Sequence, residues 1–284
     1  MSLAGAVLAV SGALVAGLAA AASDDYVFVD SFETTDCTLP PTCAVPSSGK
    51  ACIAGQLNDV ATTQPLHATF NVGLACGHGA IGGPCDLTIA AYDALQFESN
   101  PGATVPQASG AIVVDGCGRF RIPDLTVPGS PYVAIAAADA PGNAGHLPTA
   151  TLHPLAPNQQ LAPVNEPVAR TDTVAAWSLL GQADFSNGAI VAFYATAGTP
   201  TAGVTVSRDG GSAGTVRYFS DADAQRLQVS TVATTTGANG AALIASPAYG
   251  NYSGAGGETN GCHWSSAVAS APPGVVVFVE FACQ

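Results

Sequence analysis

Residues 66–74, "LHATFNVGL", place Leu66, Ala68, Phe70, Val72 and Leu74 on one parity and His67, Thr69, Asn71 and Gly73 on the other. Side chains of successive strand residues point to opposite faces, so this alternation predicts a half-buried strand. "GRFRI" alternates in the same way, with Phe120 and Ile122 inward and Arg119 and Arg121 outward. "ACIAGQL", "DLTIAAY", "GAIVVD" and "PYVAIAA" predict further strands. The second half adds "AIVAFYA" (189–195), "GVTVSR" (203–208), "VRYF" (216–219), "AALIAS" (241–246) and "GVVVFVEF" (274–281), with glycine-rich turns between them. No window sustains a helical period, and the pattern predicts an all-β chain of short strands.

Between residues 148 and 168 the chain reads "PTATLHPLAPNQQLAPVNEPV". Its prolines lack an N–H and hold φ fixed, which bars them from the middle of a sheet. The stretch is therefore expected to be a proline-rich connector. It divides the chain into one sandwich over 48–147 and a second over 169–284, after a leader at 23–47. The stretch "DGCGRFRIPDL…PGSPYVAIA" is a turn, a strand, a Pro-Gly corner and a strand, and "TGANGAALI…PPGVVVFVEF" repeats that order with an insertion at 247–271. The repetition lies in turn chemistry more than in identities.

Composition sharpens the picture. Lys and Arg number 7 against 20 Asp and Glu, a net charge of −13 that excludes a phosphate-backbone partner or an anionic lipid surface. The N-terminal run is apolar and uncharged from Leu3 to Ala22 and then meets Asp24 and Asp25. With Ala20 and Ala22 suited to a peptidase site, residues 1–22 are expected to be a signal peptide, although no Lys or Arg precedes the run. The competing reading is an uncleaved anchor. Eight cysteines, at 37, 43, 52, 76, 85, 117, 262 and 283, fit an exported chain with disulfides. Cys262 is expected to pair with Cys283, and Cys76 to close a short loop with Cys85. Cys37, Cys43, Cys52 and Cys117 allow three connectivities, among them a Cys37–Cys43 staple in the leader.

The matches Gly55, "TTQPLHATF" (62–70), "DGCGRFRI" (115–122) and "PGSPYVAI" (128–135) resemble the transthyretin-like, or carboxypeptidase regulatory-like, β-sandwich family. A second set, "GTPTAGVTV" (198–206), "TTGANGAALI" (235–244) and "PPGVVVFV" (272–279), resembles it more loosely, with Val275 and Val276 in place of the corner's usual Tyr. The resemblance implies two tandem antiparallel sandwiches of Greek-key type. It also implies a non-catalytic module serving exported proteins as spacer, stabiliser or binding surface, with no cofactor. Fold alone does not fix function.

Several short patterns suggest chemistry. "GGSAG" matches the nucleophile elbow around Ser212, but it lacks a following helix and is expected at a hairpin tip. "GHGAIG" (77–82) matches a dinucleotide fingerprint without its strand–helix context. His67, His78, His146, His153 and His263 are scattered, with no zinc spacing. Ring-cleaving dioxygenases, which elaborate a related sandwich and hold iron with two Tyr and two His, are the enzymatic alternative. Asp221 and Asp223 share a side of any extended segment and could offer oxygens to calcium, against the simpler reading of a solvated acidic loop. Tyr249, Tyr252 and Trp264 fall in the glycine-rich stretch 247–266, where aromatic faces could meet a glycan or a protein; the competing reading is that Trp264 plugs its own loop. The sequence thus predicts an exported, disulfide-stapled structural or interaction module. The alternatives are an adhesion module using that loop and a metal-dependent enzyme.

Overall fold

The computed structural model describes residues 42–66, 87–99, 112–115, 117–127, 129–130, 132–139, 145–222, 225–256 and 261–284, without the side chains of Val113 and residues 264–269. The expectations for the signal peptide, most of the leader, Cys37, the 66–74 strand beyond Leu66, Cys76, Cys85, "GHGAIG" and Asp223 lie outside these residues. The described residues belong to one compact unit.

The chain is all-β with two short helices. In order it forms β1 (Lys50–Asp59), β2 (Leu87–Asp93), α1 (Ala94–Ser99), β3 (Val113–Val114), β4 (Arg119–Thr126), β5 (Tyr132–Asp139), β6 (Thr149–Pro154) and β7 (Gln160–Val168). Then follow α2 (Thr171–Gly181), β8 (Ala189–Thr196), β9 (Thr199–Pro200), β10 (Val204–Arg208), β11 (Thr215–Phe219) and β12 (Val229–Ser230). The last strands are β13 (Ala241–Ala245), β14 (Gly250–Gly256), β15 (Cys262–Ala269) and β16 (Val276–Cys283).

Two sheets are built from these strands. The smaller runs β3-β4-β1-β7. The larger runs β10-β14-β15-β16-β8-β13-β11-β12, with β2-β5-β6 joining it at β16. β16 is a fork: along one edge its first residues pair with β6 and its last with β15, while β8 runs along the other edge. Strands from both halves of the sequence therefore share one sheet.

The segment expected to be a connector, 148–168, is instead β6 and β7, one in each sheet. Pro148 and Pro154 sit at the ends of β6, leaving its buried Thr149, Ala150 and Leu152 free of proline. Pro163 and Pro167 lie in β7, the edge of the smaller sheet, where proline is tolerated. The expectation of purely antiparallel sheets is corrected too, because β1–β7, β16–β6 and β16–β8 are parallel. The two stretches matched by turn chemistry also occupy different places. β4 and β5 lie in opposite sheets, whereas β13 and β16 flank β8 in one.

Three cores hold this arrangement. The smaller sheet packs on β2 and β5 through Ile53, Leu57, Phe120, Ile122, Ile89 and Ile135. On β8, β13 and β16, one parity (Ile190, Ala192, Tyr194, Ala242, Ile244, Val277, Val279, Phe281) meets β10 and β14. The other parity (Ala189, Val191, Ala241, Leu243, Val276, Phe278) meets α2 through Val174 and Trp177. A strand buried on both faces needs apolar residues at every position, which explains the unbroken runs "AIVAF" and "VVVFV". The turn "DGCGRF" is held by Asp115, whose Oδ1 accepts the amides of Cys117 (3.0 Å) and Arg119 (2.8 Å). Gly118 is needed there, with φ +71° and the Leu66 carbonyl 2.7 Å from where a Cβ would sit.

Cys262 and Cys283 face each other across β15 and β16 and form the expected disulfide. Cys43 pairs with Cys52, which overturns a Cys37–Cys43 staple, because β1 carries Cys52 up to the incoming chain. Cys117 is disulfide-bonded as well. Disulfides of this kind belong to an oxidising, extracytoplasmic environment. Among the described residues no helix is long and apolar enough to cross a membrane.

Candidate binding groove

A groove of about 480 Å³ opens where the smaller sheet meets the β6–β16–β8 face. Its floor follows from register. Glu280 pairs with Phe193 across β16 and β8, and Phe278 pairs with Thr151 across β16 and β6. His153 is two residues on from Thr151, as Glu280 is from Phe278, so His153, Glu280 and Phe193 form a row across three strands. Asn58, Asp59, Val60 and Thr63 from the end of β1 and its turn, Pro163 and Asn165 from β7, and Arg226 complete the lining.

Arg226 is positioned from several sides. Its backbone N–H donates to the Ala61 carbonyl (2.8 Å), and its own carbonyl accepts the Trp177 indole N–H (2.7 Å). Asp221 Oδ2 accepts the amides of Leu227 (3.1 Å) and Gln228 (2.9 Å), fixing the next residues. The guanidinium lies 4.5 Å from the centroid of the Phe193 ring, which in turn stacks on Phe278. Such cation–π contact strengthens when water is excluded. Nη1 donates to the Val60 carbonyl (3.2 Å), and the buried Nε has no partner. Burial lowers its pKa to about 10, against the opposing charge of Asp221.

At the other end His153 Nε2 meets Glu166 Oε1 at 2.5 Å, tying β6 to β7 and so one sheet to the other. Burial disfavours the imidazolium, but the charges of Glu166 and Glu280 and the Glu166 hydrogen bond outweigh it and raise the pKa above the ordinary histidine value. The Asp59 carboxylate is committed to its own turn, accepting the amides of Ala61 (2.9 Å) and Thr62 (2.8 Å) and the Thr62 hydroxyl.

No protein-family model matches the chain, and no curated protein matches it. Among solved structures the chain is similar to the Bacillus anthracis TIE protein, at 12% identity with a TM-score of 0.23. The match covers 83% of this chain and 34% of that one, so this chain spans about a third of its length. So loose a superposition carries no argument.

The residues singled out from sequence are not brought together. Tyr252 is buried in the β10–β14 core, its hydroxyl donating to the carbonyls of Ala248 (2.7 Å) and Ala213 (3.2 Å). Tyr249 is exposed, and Trp264 lies on β15 with its side chain outside the described residues. Most of the 247–266 stretch is the β14–β15 hairpin and not a free loop. Its glycines serve packing: a Cβ on Gly254 would strike the Tyr194 ring at 2.5 Å. Asp221 staples the Arg226 segment, as described above. Ser212 lies in the turn from β10 to β11, which pair with different strands, so it is not at a hairpin tip.

His146 is buried with Nδ1 on Asp139 (2.9 Å), apart from the His153–Glu166 pair. Among the described residues no three His, Cys, Asp or Glu side chains form a metal-sized group. Sequence reasoning missed the whole groove. Its signals were Glu280, a lone charge in an apolar run, and Arg226, one of few cations in the chain. His153 and Glu166 were hidden in a segment taken for a connector.

Proposed function

We propose that the chain is an exported, disulfide-stapled binding module that acts without catalysis and presents the groove between its sheets. The observation that carries this reading is the use made of four buried or half-buried aspartates. Asp59, Asp93 and Asp115 accept backbone amides that fix turns, and Asp139 holds the buried His146. Catalytic acids are set apart from such duties and poised towards a substrate, whereas these are spent on making loops rigid. A rigid scaffold with a wide groove between its sheets suits recognition.

Export follows in this reading from the disulfides and from the apolar segment before Asp24. The test is expression of the full chain in an exporting host, with mass spectrometry of the extracytoplasmic fraction and affinity capture of cell-surface material on the purified protein. The expected result is a chain lacking residues 1–22, oxidised at all eight cysteines, that retains surface components. A reduced chain confined to the cytoplasm, or turnover of a substrate by the pure protein, would overturn the proposal.

A further inference from the structure

The groove carries two opposite charges that do not pair with each other. Among the described residues Arg226 makes no ion pair, and its guanidinium gives one hydrogen bond to a backbone carbonyl while Nε has none. Glu280, on the floor beside the Phe193 ring that Arg226 covers, likewise has no hydrogen bond or ion pair among the described residues, although its charge acts on His153 in the same row. The remaining charges along the groove are accounted for: His153 is satisfied by Glu166, and the Asp59 carboxylate by its own turn.

A largely buried cation whose opposing charge, Asp221, acts without a direct ion pair is costly, and it is usually kept where something arrives to match it. An anion alone would be repelled by Glu280 and by the chain's net charge of −13. A cation alone would meet Arg226. A ligand bearing both signs answers both groups. Adjacent strands lie about 5 Å apart, so the complementary charges must be separated by a comparable span, that of a very short peptide.

We propose that this groove binds a small zwitterion of amino-acid or dipeptide size, its carboxylate on Arg226 and its ammonium on Glu280. The proposal rests on the reading of the groove as the binding surface and names its ligand class. The fixed guanidinium, backed by the Phe193 ring, offers its outer edge as a fork for a carboxylate. The apolar lining from Val60, Pro163 and the Phe193 ring leaves room for small aliphatic side chains between the charged ends.

The test is an NMR titration of the oxidised, mature-length chain, following the side-chain Nε–H of Arg226 and the side-chain amides of Asn58 and Asn165. Three probes are compared at equal concentration: alanyl-alanine, its N-acetyl derivative and its C-terminal amide. Alanyl-alanine is expected to saturate with a Kd of about 1 mM or tighter, the level at which binding free energy is about −4 kcal/mol. Either capped form is expected to bind at least tenfold more weakly. Glu280→Gln, at an exposed position that leaves the fold alone, is expected to bring alanyl-alanine down to the level of its N-acetyl derivative.

Equal binding of all three probes would overturn the zwitterion assignment while leaving the groove as a binding surface. No saturable shift from alanyl-alanine would overturn it as well, and captured surface material mapping to the groove would then show that the broader reading survives. Because the probe comparison uses the unaltered chain, it does not depend on whether a variant at Arg226 folds.

Discussion

Glu98 offers a quantitative check on the packing. It lies on α1, a single helical turn started by Asp93, whose Oδ1 accepts the Gln96 amide at 3.1 Å. The carboxyl is 4% exposed, its Oε1 has no partner, and the backbone amide of Ser270 is the one group that favours its charge. Burial pushes its pKa to about 8 from an ordinary 4.5. The folded state thus holds the proton more tightly than the unfolded chain. Below the unfolded pKa the group costs nothing, and between the two values each pH unit of rise removes about 1.4 kcal/mol of stability.

From pH 4.5 to pH 7 the loss amounts to about 3 kcal/mol. Glu98→Gln keeps the shape and abolishes the titration. Its stability relative to the parent is expected to grow by about 1.4 kcal/mol per unit between pH 5 and 7 and to level off near pH 8, or about 6 °C in Tm by pH 7 for a chain of this size. Urea melts of both proteins at pH 5, 6, 7 and 8 measure that difference, and contributions from other titrating groups cancel. A difference that stays flat across the series would refute the burial of a protonated Glu98.

Other perturbations test separate parts of the structure. Gly55→Ala would set a Cβ against the Val164 carbonyl oxygen and, at 2.5 Å, its Cγ2, where β7 crosses close to β1. It is expected to destabilise by about 3 kcal/mol or more, read by chemical denaturation, because backbone must move to accept it. Replacing Cys262 and Cys283 together by Ser opens a loop of 21 residues and is expected to cost about 3 kcal/mol by the same measurement. Glu166→Gln removes the charge that holds the His153 proton, so the imidazole titration followed by NMR is expected to move to lower pH. The stability that this pair supplies, present below the unfolded histidine pKa and lost as pH rises through the raised folded one, is expected to shrink with it. An unchanged midpoint would contradict the pairing.

The strands that alternate or run apolar were legible in sequence: β1, β2, β4, β5, β8, β10, β11, β13 and β16 all fall where period two or unbroken apolar runs placed them. What escaped has identifiable causes. β6 and β7 carry prolines at strand ends and on a sheet edge, positions where the residue does no harm but still reads as a break. β14 carries Gly254 where Tyr194 presses against it and Gly250 where Arg208 does, and close approach resembles a loop when only composition is seen. α2 buries Val174, Trp177 and Gly181 on one side but exposes Leu179 and Leu180, which blurs its polar face. The pairing of strands from both halves in one sheet is a long-range fact, which no local pattern encodes. The groove depends on it, since His153 and Phe193 come together only through β16. Cys262–Cys283 was legible because its partners stood apart from the other six cysteines.

Hydrogen exchange on the oxidised native chain tests the joined architecture most directly. Amides of 149–154 and 276–283 are expected to be protected to a similar degree and to lose protection together with those of β8. Rapid exchange throughout 148–168, with separate melting of the regions before and after it, would show a flexible connector between independent sandwiches and would remove the groove along with the junction that forms it.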